Sequence, residues 1–273
     1  MGSLAISRVE AADQRAPTIA EEVARIARQE LAPLAPAIDA GSIYPDELLR
    51  CFGKIGAWGS HVPQEGPAAQ AGGLSADSQV RLDRTAIHIA VDMQCLFAEP
   101  TEWFVPWLPK VLPKVLEIAR RHPDRTIFTR FIPPQDPEHA TGAWQDYYQR
   151  WRSMTRDRID PHLLELVEPL RKLVPPAKVL NKTVYSAFAH PRLAHSLRRH
   201  GVETLIVTGG ETDVCVLATV MAAVDLGFHV VLPDDALCSA NDATHDALIR
   251  LYHERYSQQI ETTSTERVLR DWV

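Results

Sequence analysis

The chain has 273 residues, 45% of them hydrophobic, and 35 acidic against 29 basic side chains give a formal charge of −6. That length buries one sizeable core with room for an appendage; the acidic balance argues against a nucleic-acid footprint, and no run of about 18 apolar residues exists to cross a bilayer. No basic stretch followed by an apolar core opens the chain, so no signal peptide is expected, and four cysteines without metal-type spacing (Cys51, Cys95, Cys215, Cys238) suit a reducing cytoplasm.

Residues 1–80 read as a helical N-terminal extension. Helices are predicted over 18–38 and 44–55, and the Gly-, Ala-, Ser- and Pro-rich stretch 66–77 reads as a linker. Residues 81–273 form a second domain in which strands and helices alternate. A buried strand at 86–91 leads through a proline-punctuated apolar stretch to a helix ending near 121. A strand at 126–130 is followed by an insertion, then a strand at 178–182 and a helix over 191–200 that closes at Gly201. The next strand, 204–208, feeds a helix over 213–226 that closes at Gly227. A strand at 229–232, a helix over 243–257 and a strand at 259–263 complete the order. Alternation at this spacing predicts an α/β fold, a three-layer sandwich around a mainly parallel six-stranded sheet. No G-x-G-x-x-G follows the first strand, so no dinucleotide site is indicated and no cofactor is expected.

Three of these strands end in reactive chemistry. The run Thr85-Ala-Ile-His-Ile-Ala-Val stops at Asp92. Ala177-Lys-Val-Leu-Asn stops at Lys182. Leu205-Ile-Val-Thr-Gly-Gly leads through Thr212, a good N-cap residue, to Cys215 in the first turn of a helix. There the partial positive charge of unpaired N–H groups favours thiolate over thiol. Each residue also has a plain reading: a small core hydrophobe for the cysteine, a turn cap for the aspartate, a solvated cation for the lysine. Side chains at the carboxyl ends of parallel strands meet, so the three together form a candidate acid, base and nucleophile. Cys95 and Cys238 read as core residues.

With these segments the chain resembles the isochorismatase-like cysteine hydrolases, which include nicotinamidase and N-carbamoylsarcosine amidohydrolase. Asp92-Met-Gln-Cys-Leu-Phe97 fits the family's D-x-Q-x-x-F, Lys182 precedes Tyr185-Ser-Ala-Phe188, and Gly209-Gly-Glu-Thr-Asp-Val-Cys-Val216 fits G-x-x-T-x-x-C-V. The resemblance spans about 86 to 263. It implies a Rossmann-like sheet, Cys215 as nucleophile, Asp92 as general base and acid, and Lys182 as the group that positions them. It also implies a non-proline cis peptide at Gly210–Glu211 and an oxyanion hole from the N–H groups of Glu211 and Cys215. Family members are commonly homodimers or homotetramers. Nicotinamidases carry T-R-D-x-H after the second strand, whereas this chain has Thr129-Arg-Phe131-Ile-Pro133. Phe131 and Pro133 cannot coordinate a metal, so the catalytic site reads as metal-free, with His139 as a lone candidate ligand. Residues 26–56 are similar to the first helices of acyl-CoA dehydrogenases, but no flavin-binding segment follows.

Specificity is expected from the loop after Asp92 (Phe97, Trp103) and the insertion (Trp144), with Arg130, Tyr185, Phe188 and Glu211 as further substrate-binding candidates. Aromatic residues with interspersed arginines suit a small, flat or anionic substrate, and equally an interface between subunits. Glu211 stands where the family often has a small or apolar residue, facing either a substrate amino group or solvent. The leading functional reading is hydrolysis of a small amide, carbamoyl or ureido compound. Vinyl ether hydrolysis with Asp92 as general acid, and a binding module without turnover, are the alternatives.

Overall fold

The computed structural model describes residues 85–273 continuously, together with Thr18, residues 24–26, Arg28, Gln29, Pro33 and Leu82. The chain divides into two units, Met1–Ser75 and Ala76–Val273. In the first, residues 24–26 are helical and Ile26 is buried. Apart from Thr18 and from Arg28, Gln29 and Pro33, which are also in helical turns, the rest of the helices expected over 18–38 and 44–55, and the linker over 66–77, lie outside the described residues.

The second unit is built on parallel strands, as the uninterrupted apolar runs require. Its strands are β1 (Ile87–Val91), β2 (Thr126–Phe131), β3 (Lys178–Lys182), β4 (Thr204–Gly210), β5 (His229–Pro233), β6 (Leu237–Cys238) and β7 (Ile260–Thr263). The sheet order is β3-β2-β1-β4-β5-β7, and β6 pairs with β4. Every pairing is parallel. Six strands match the expectation and β6 is a seventh. Two residues are too short to carry a readable alternation, and β6 exists because Leu237 and Cys238 pair with Gly209 and Gly210.

Side chains alternate across the sheet. Ala90, Phe128, Ile206 and Val231 face one layer, formed by α2 (Leu108–Arg121), α4 (Glu168–Arg171) and α8 (Thr265–Asp271). Ile89, Val91, Leu205, Val207 and Val230 face the other, formed by α5 (Leu193–Arg199), α6 (Leu217–Asp225) and α7 (Asp242–Arg255). In α2 the buried positions are Leu108, Val111, Val115, Ile118 and Ala119, one stripe at helical spacing. The short helices α1 (Cys95–Ala98) and α3 (Ala143–Arg150) lie in the connections that follow β1 and β2. Among the described residues, no helix is long and apolar enough to cross a membrane.

A fully buried imidazole sits in the middle of the sheet. His88 on β1 is fully buried, 2.8 Å from Thr208 Oγ1, with its ring edge-on to Trp272. Burial pushes its pKa down to about 3, so the imidazole is neutral in the fold. The folded value lies below the unfolded one of about 6.5, so the unfolded chain binds the proton more readily between them. The contribution is complete above pH 6.5 and is lost as pH falls toward 3. Stability should therefore drop by about 2 kcal/mol between pH 6.5 and 5 through this group. Urea unfolding at both pH values should show a shallower pH dependence in His88→Gln than in the wild type.

Candidate active site

The carboxyl ends of β3, β1 and β4 gather Lys182, Asp92 and Cys215. Asp92 follows β1 directly and has φ of +48°, a left-handed conformation that an aspartate tolerates better than most residues. Its carboxylate is held on both oxygens. Thr129 donates its hydroxyl to Oδ1 at 2.6 Å, and Lys182 donates Nζ to Oδ2 at 2.6 Å. The backbone N–H of Asp92 returns a bond to Thr129 Oγ1 at 3.0 Å. Both charged side chains are 1% exposed. Neighbouring strands are about 4.8 Å apart, so β1 and β3 lie roughly 10 Å apart across β2. A lysine stem is long enough to bridge that gap. Lys182 Nζ also donates to Val184 O at 3.3 Å and lies 5.0 Å from the centre of the Phe131 ring.

Cys215 arrives from the other neighbour of β1. β4 continues to Gly210, two residues past its expected end, and Gly209 pairs with Val91 at φ of +100°. A Cβ on Gly209 would lie 2.2 Å from Val91 O, so only glycine lets the two backbones approach this closely. The Gly210–Glu211 peptide is cis. A π-helical turn over Thr212–Val216 then leads into α6, where one α-helix over 213–226 was expected. Thr212 is not the N-cap: Glu211 holds that position without a side-chain cap. The Thr212 hydroxyl instead lies 3.1 Å from Cys238 O, to which it donates, and 2.9 Å from His245 Nδ1. Asp213 accepts from Ser239 and Thr244. The turn is thus fastened to β6 and α7.

The environment of the thiol departs from expectation. Cys215 is 7% exposed, and burial pushes its pKa well above the ordinary value. The Asp92 charge pushes it further, while Lys182 opposes the rise by charge and by hydrogen bonding. A helix N-terminus acting alone would favour thiolate; desolvation and a neighbouring carboxylate outweigh it. Burial and the Asp92 carboxylate thus both favour the thiol over the thiolate, with Lys182 opposing. For Lys182, burial pulls the pKa down, but the Asp92 charge and hydrogen bonding within the group outweigh it, and the net shift is upward.

Aromatic rings of the insertion stand beside this group. Trp103 packs on Phe97, Phe131, Tyr147, Tyr148 and Trp151. Trp144 contacts Tyr185 at 4.7 Å. Tyr147 packs edge-on to Trp144, and burial pushes the pKa of both Tyr147 and Tyr185 up. Glu211 does not face open solvent: its Oε2 accepts from Ala240 N at 2.9 Å, and burial raises its pKa. Two candidates are engaged elsewhere. Arg130 bonds Asn181 and Glu165, and Phe188 stacks on Phe228 in the layer formed by α5 to α7. Phe131 faces the Lys182 ammonium and Pro133 is buried, and neither offers a ligand atom. His139 pairs with Asp136 at 2.7 Å.

Two site residues escaped the sequence reading. Thr129 stood in the stretch compared with the nicotinamidase T-R-D-x-H but was given no role, which follows only from β2 lying beside β1. Gln94 stood inside the D-x-Q pattern without a role. Its Oε1 accepts from Phe131 N at 2.6 Å, and its Nε2 donates to Phe131 O and Leu164 O. It fixes the Asp92 loop to β2 and the insertion.

Residues 86–264 match the Isochorismatase domain family model. The chain belongs to the isochorismatase family. Nicotinamidase 3 of Arabidopsis thaliana is 28% identical to it over 167 residues, 61% of this chain and 79% of that protein. The cysteine hydrolase from Pseudomonas syringae pv. phaseolicola 1448A superimposes with a TM-score of 0.60 at 27% identity, covering 71% of this chain and 95% of its own. N-carbamoylsarcosine amidase from Thermoplasma acidophilum shares the fold at a TM-score of 0.53 and 20% identity, covering 66% and 96%. This isochorismatase-family hydrolase thus carries its acid, amine and thiol on the parallel sheet that the family uses.

Substitutions at two support positions test this geometry. Thr129→Val removes a hydrogen bond to a buried charge, worth about 1.5–3 kcal/mol, and kcat/KM should fall by roughly ten- to a hundredfold with little change in KM. Gly209→Ala forces β1 and β4 apart, and a fall in stability of about 3 kcal/mol or more is expected, read as reduced soluble yield and a lower Tm.

Proposed function

We propose that the protein is an amidohydrolase that cleaves a C–N bond of a small amide, carbamoyl or ureido compound through a thioester on Cys215. The observation that carries this reading is a buried carboxylate–ammonium pair at 2.6 Å with a buried thiol near enough for both to act on it electrostatically. Asp92 removes the thiol proton as the sulfur attacks the carbonyl carbon. Lys182 keeps the carboxylate in place and offsets the negative charge that passes to sulfur. The tetrahedral oxyanion is received by the N–H groups of Glu211 and Cys215, at a helix start where backbone donors outnumber intrahelical acceptors. Protonated Asp92 then gives its proton to the departing amine, and the C–N bond breaks. Water attacks the thioester, Asp92 accepts its proton, and release of the acid restores the thiol.

The surroundings favour a small substrate with polar ends. Tyr147, Tyr185 and Trp144 offer a flat aromatic wall, and the Glu211 carboxylate suits an amino or ureido N–H donor. Trp103 Nε1 and Tyr148 Oη are buried with no protein partner among the described residues, and such donors suit a substrate carboxylate or carbonyl. Phe131 and Pro133 supply none of the metal ligands that the nicotinamidase pattern uses, which supports metal-independent catalysis. A vinyl ether hydrolase would need Asp92 as an acid but gives a buried thiol coupled to it no task.

Ammonia release from a panel of small amides and ureido acids tests the proposal. Cys215→Ala should reduce turnover by at least about a thousandfold with Tm unchanged. Turnover retained in that variant would favour the vinyl ether reading instead.

A further inference from the structure

Outside the Cys215 site, Cys95, Glu99 and His162 are brought together by two segments distant in sequence. Cys95 opens α1 and Glu99 follows its last residue, with the Glu99 N–H bonded to Cys95 O at 2.9 Å. Spacing of four residues puts both side chains on one face. His162 lies in the 3-10 turn Pro161–Leu164, where Asp160 accepts from its backbone N–H at 2.8 Å. Backbone bonds lock the segments together: Cys95 N to Glu165 O at 2.9 Å and Val167 N to Met93 O at 3.0 Å.

The result is a mixed set of one sulfur, one carboxylate and one imidazole, with ligand atoms all within 4.8 Å of one another. His162 Nε2 is 2.9 Å from Glu99 Oε1. Among the described residues, this is the only cluster of three side chains able to hold a metal in this way. The three line a cavity of about 220 Å³ together with Glu165, Glu168 and Arg171. Cys95 was expected to be a plain core residue; it is buried, yet it borders this cavity.

We propose that Cys95, Glu99 and His162 bind one zinc ion, which clips the insertion to the segment that carries Asp92. Zinc accepts sulfur, nitrogen and oxygen donors at about 2.3, 2.0 and 2.1 Å. Tetrahedral geometry with those lengths separates ligand atoms by roughly 3.2–3.6 Å, which the present spacing reaches with small side-chain adjustments. Cys95 fixes the sulfur inside the fold, while Glu99 and His162, 44% and 60% exposed, are free to close. A thiolate ligand selects against magnesium and calcium. Water from the cavity completes the fourth position. Glu165 pairs with Arg130 and Glu168 with Lys172, so these carboxylates supply negative potential and not ligands. The ion would close the chain between residues 99 and 162, the stretch that holds Trp103, Trp144 and Tyr147. The proposal is independent of the hydrolase reading, because none of its ligands belongs to the Cys215 group.

The test uses the full chain without a metal-binding tag, stripped with a chelator and reloaded with zinc or cobalt. The wild type and Cys215→Ala should each retain one equivalent of zinc after desalting. Cobalt-loaded wild type should show a sulfur-to-cobalt charge-transfer band. Cys95→Ala and His162→Ala should each weaken binding by more than the roughly 10–100-fold caused by changes that only reorient a ligand. Zinc should raise the Tm of the wild type and leave that of His162→Ala unchanged. His162 is half-exposed, so this variant tests the proposal even if Cys95→Ala does not fold. Failure of the wild type to retain stoichiometric zinc, or equal affinity in His162→Ala, overturns it.

Discussion

The buried contact between Lys182 and Asp92 is the constraint around which the domain is arranged. Two opposite charges at 2.6 Å and 1% exposure sit where each alone would be costly. Removing one member of such a pair typically costs about 3–5 kcal/mol, because the survivor stays buried and uncompensated. Thr129 and Val184 O bond what the pair leaves over. The sheet order β3-β2-β1-β4 puts the amine two strands to one side of the acid and the thiol one strand to the other. The glycine at 209 lets β4 come close enough to β1 for this to happen.

That pair also decides the state of the sulfur. Burial and the neighbouring carboxylate both push the Cys215 pKa up, so in the proposed reaction Asp92 takes the thiol proton as the sulfur attacks, without a standing thiolate. The proton moves within the site, so the total charge is unchanged, and the ammonium offsets the negative charge on whichever partner holds it.

Much of this was legible in the sequence, and the reasons differ by element. β1, β3 and β5 are apolar or strand-rich runs bounded by polar residues, so their positions emerged within a residue of the observed ones. Asp92, Lys182 and Cys215 stood out because reactive side chains end or closely follow the runs of β1, β3 and β4. Thr129 was invisible because its role depends on strand adjacency and not on its own neighbours in sequence. Thr212 was read as a cap because a threonine before a helix usually is one; here Cys238 and His245 compete for its hydroxyl. β6 and α8 are too short for a periodic signal. Local helix electrostatics can be seen in a sequence, whereas the burial that pushes the Cys215 pKa up cannot.

Direct titration of the Cys215 thiol, as the absorbance difference between wild type and Cys215→Ala near 240 nm, tests the central interaction most directly. The wild-type thiol should remain un-ionised through pH 7 to 9. In Asp92→Asn, with the carboxylate charge gone and Lys182 still present, the thiol should ionise at lower pH even as turnover falls. A wild-type thiolate already formed at pH 7, or a thiol pKa that does not move in Asp92→Asn, would contradict the account.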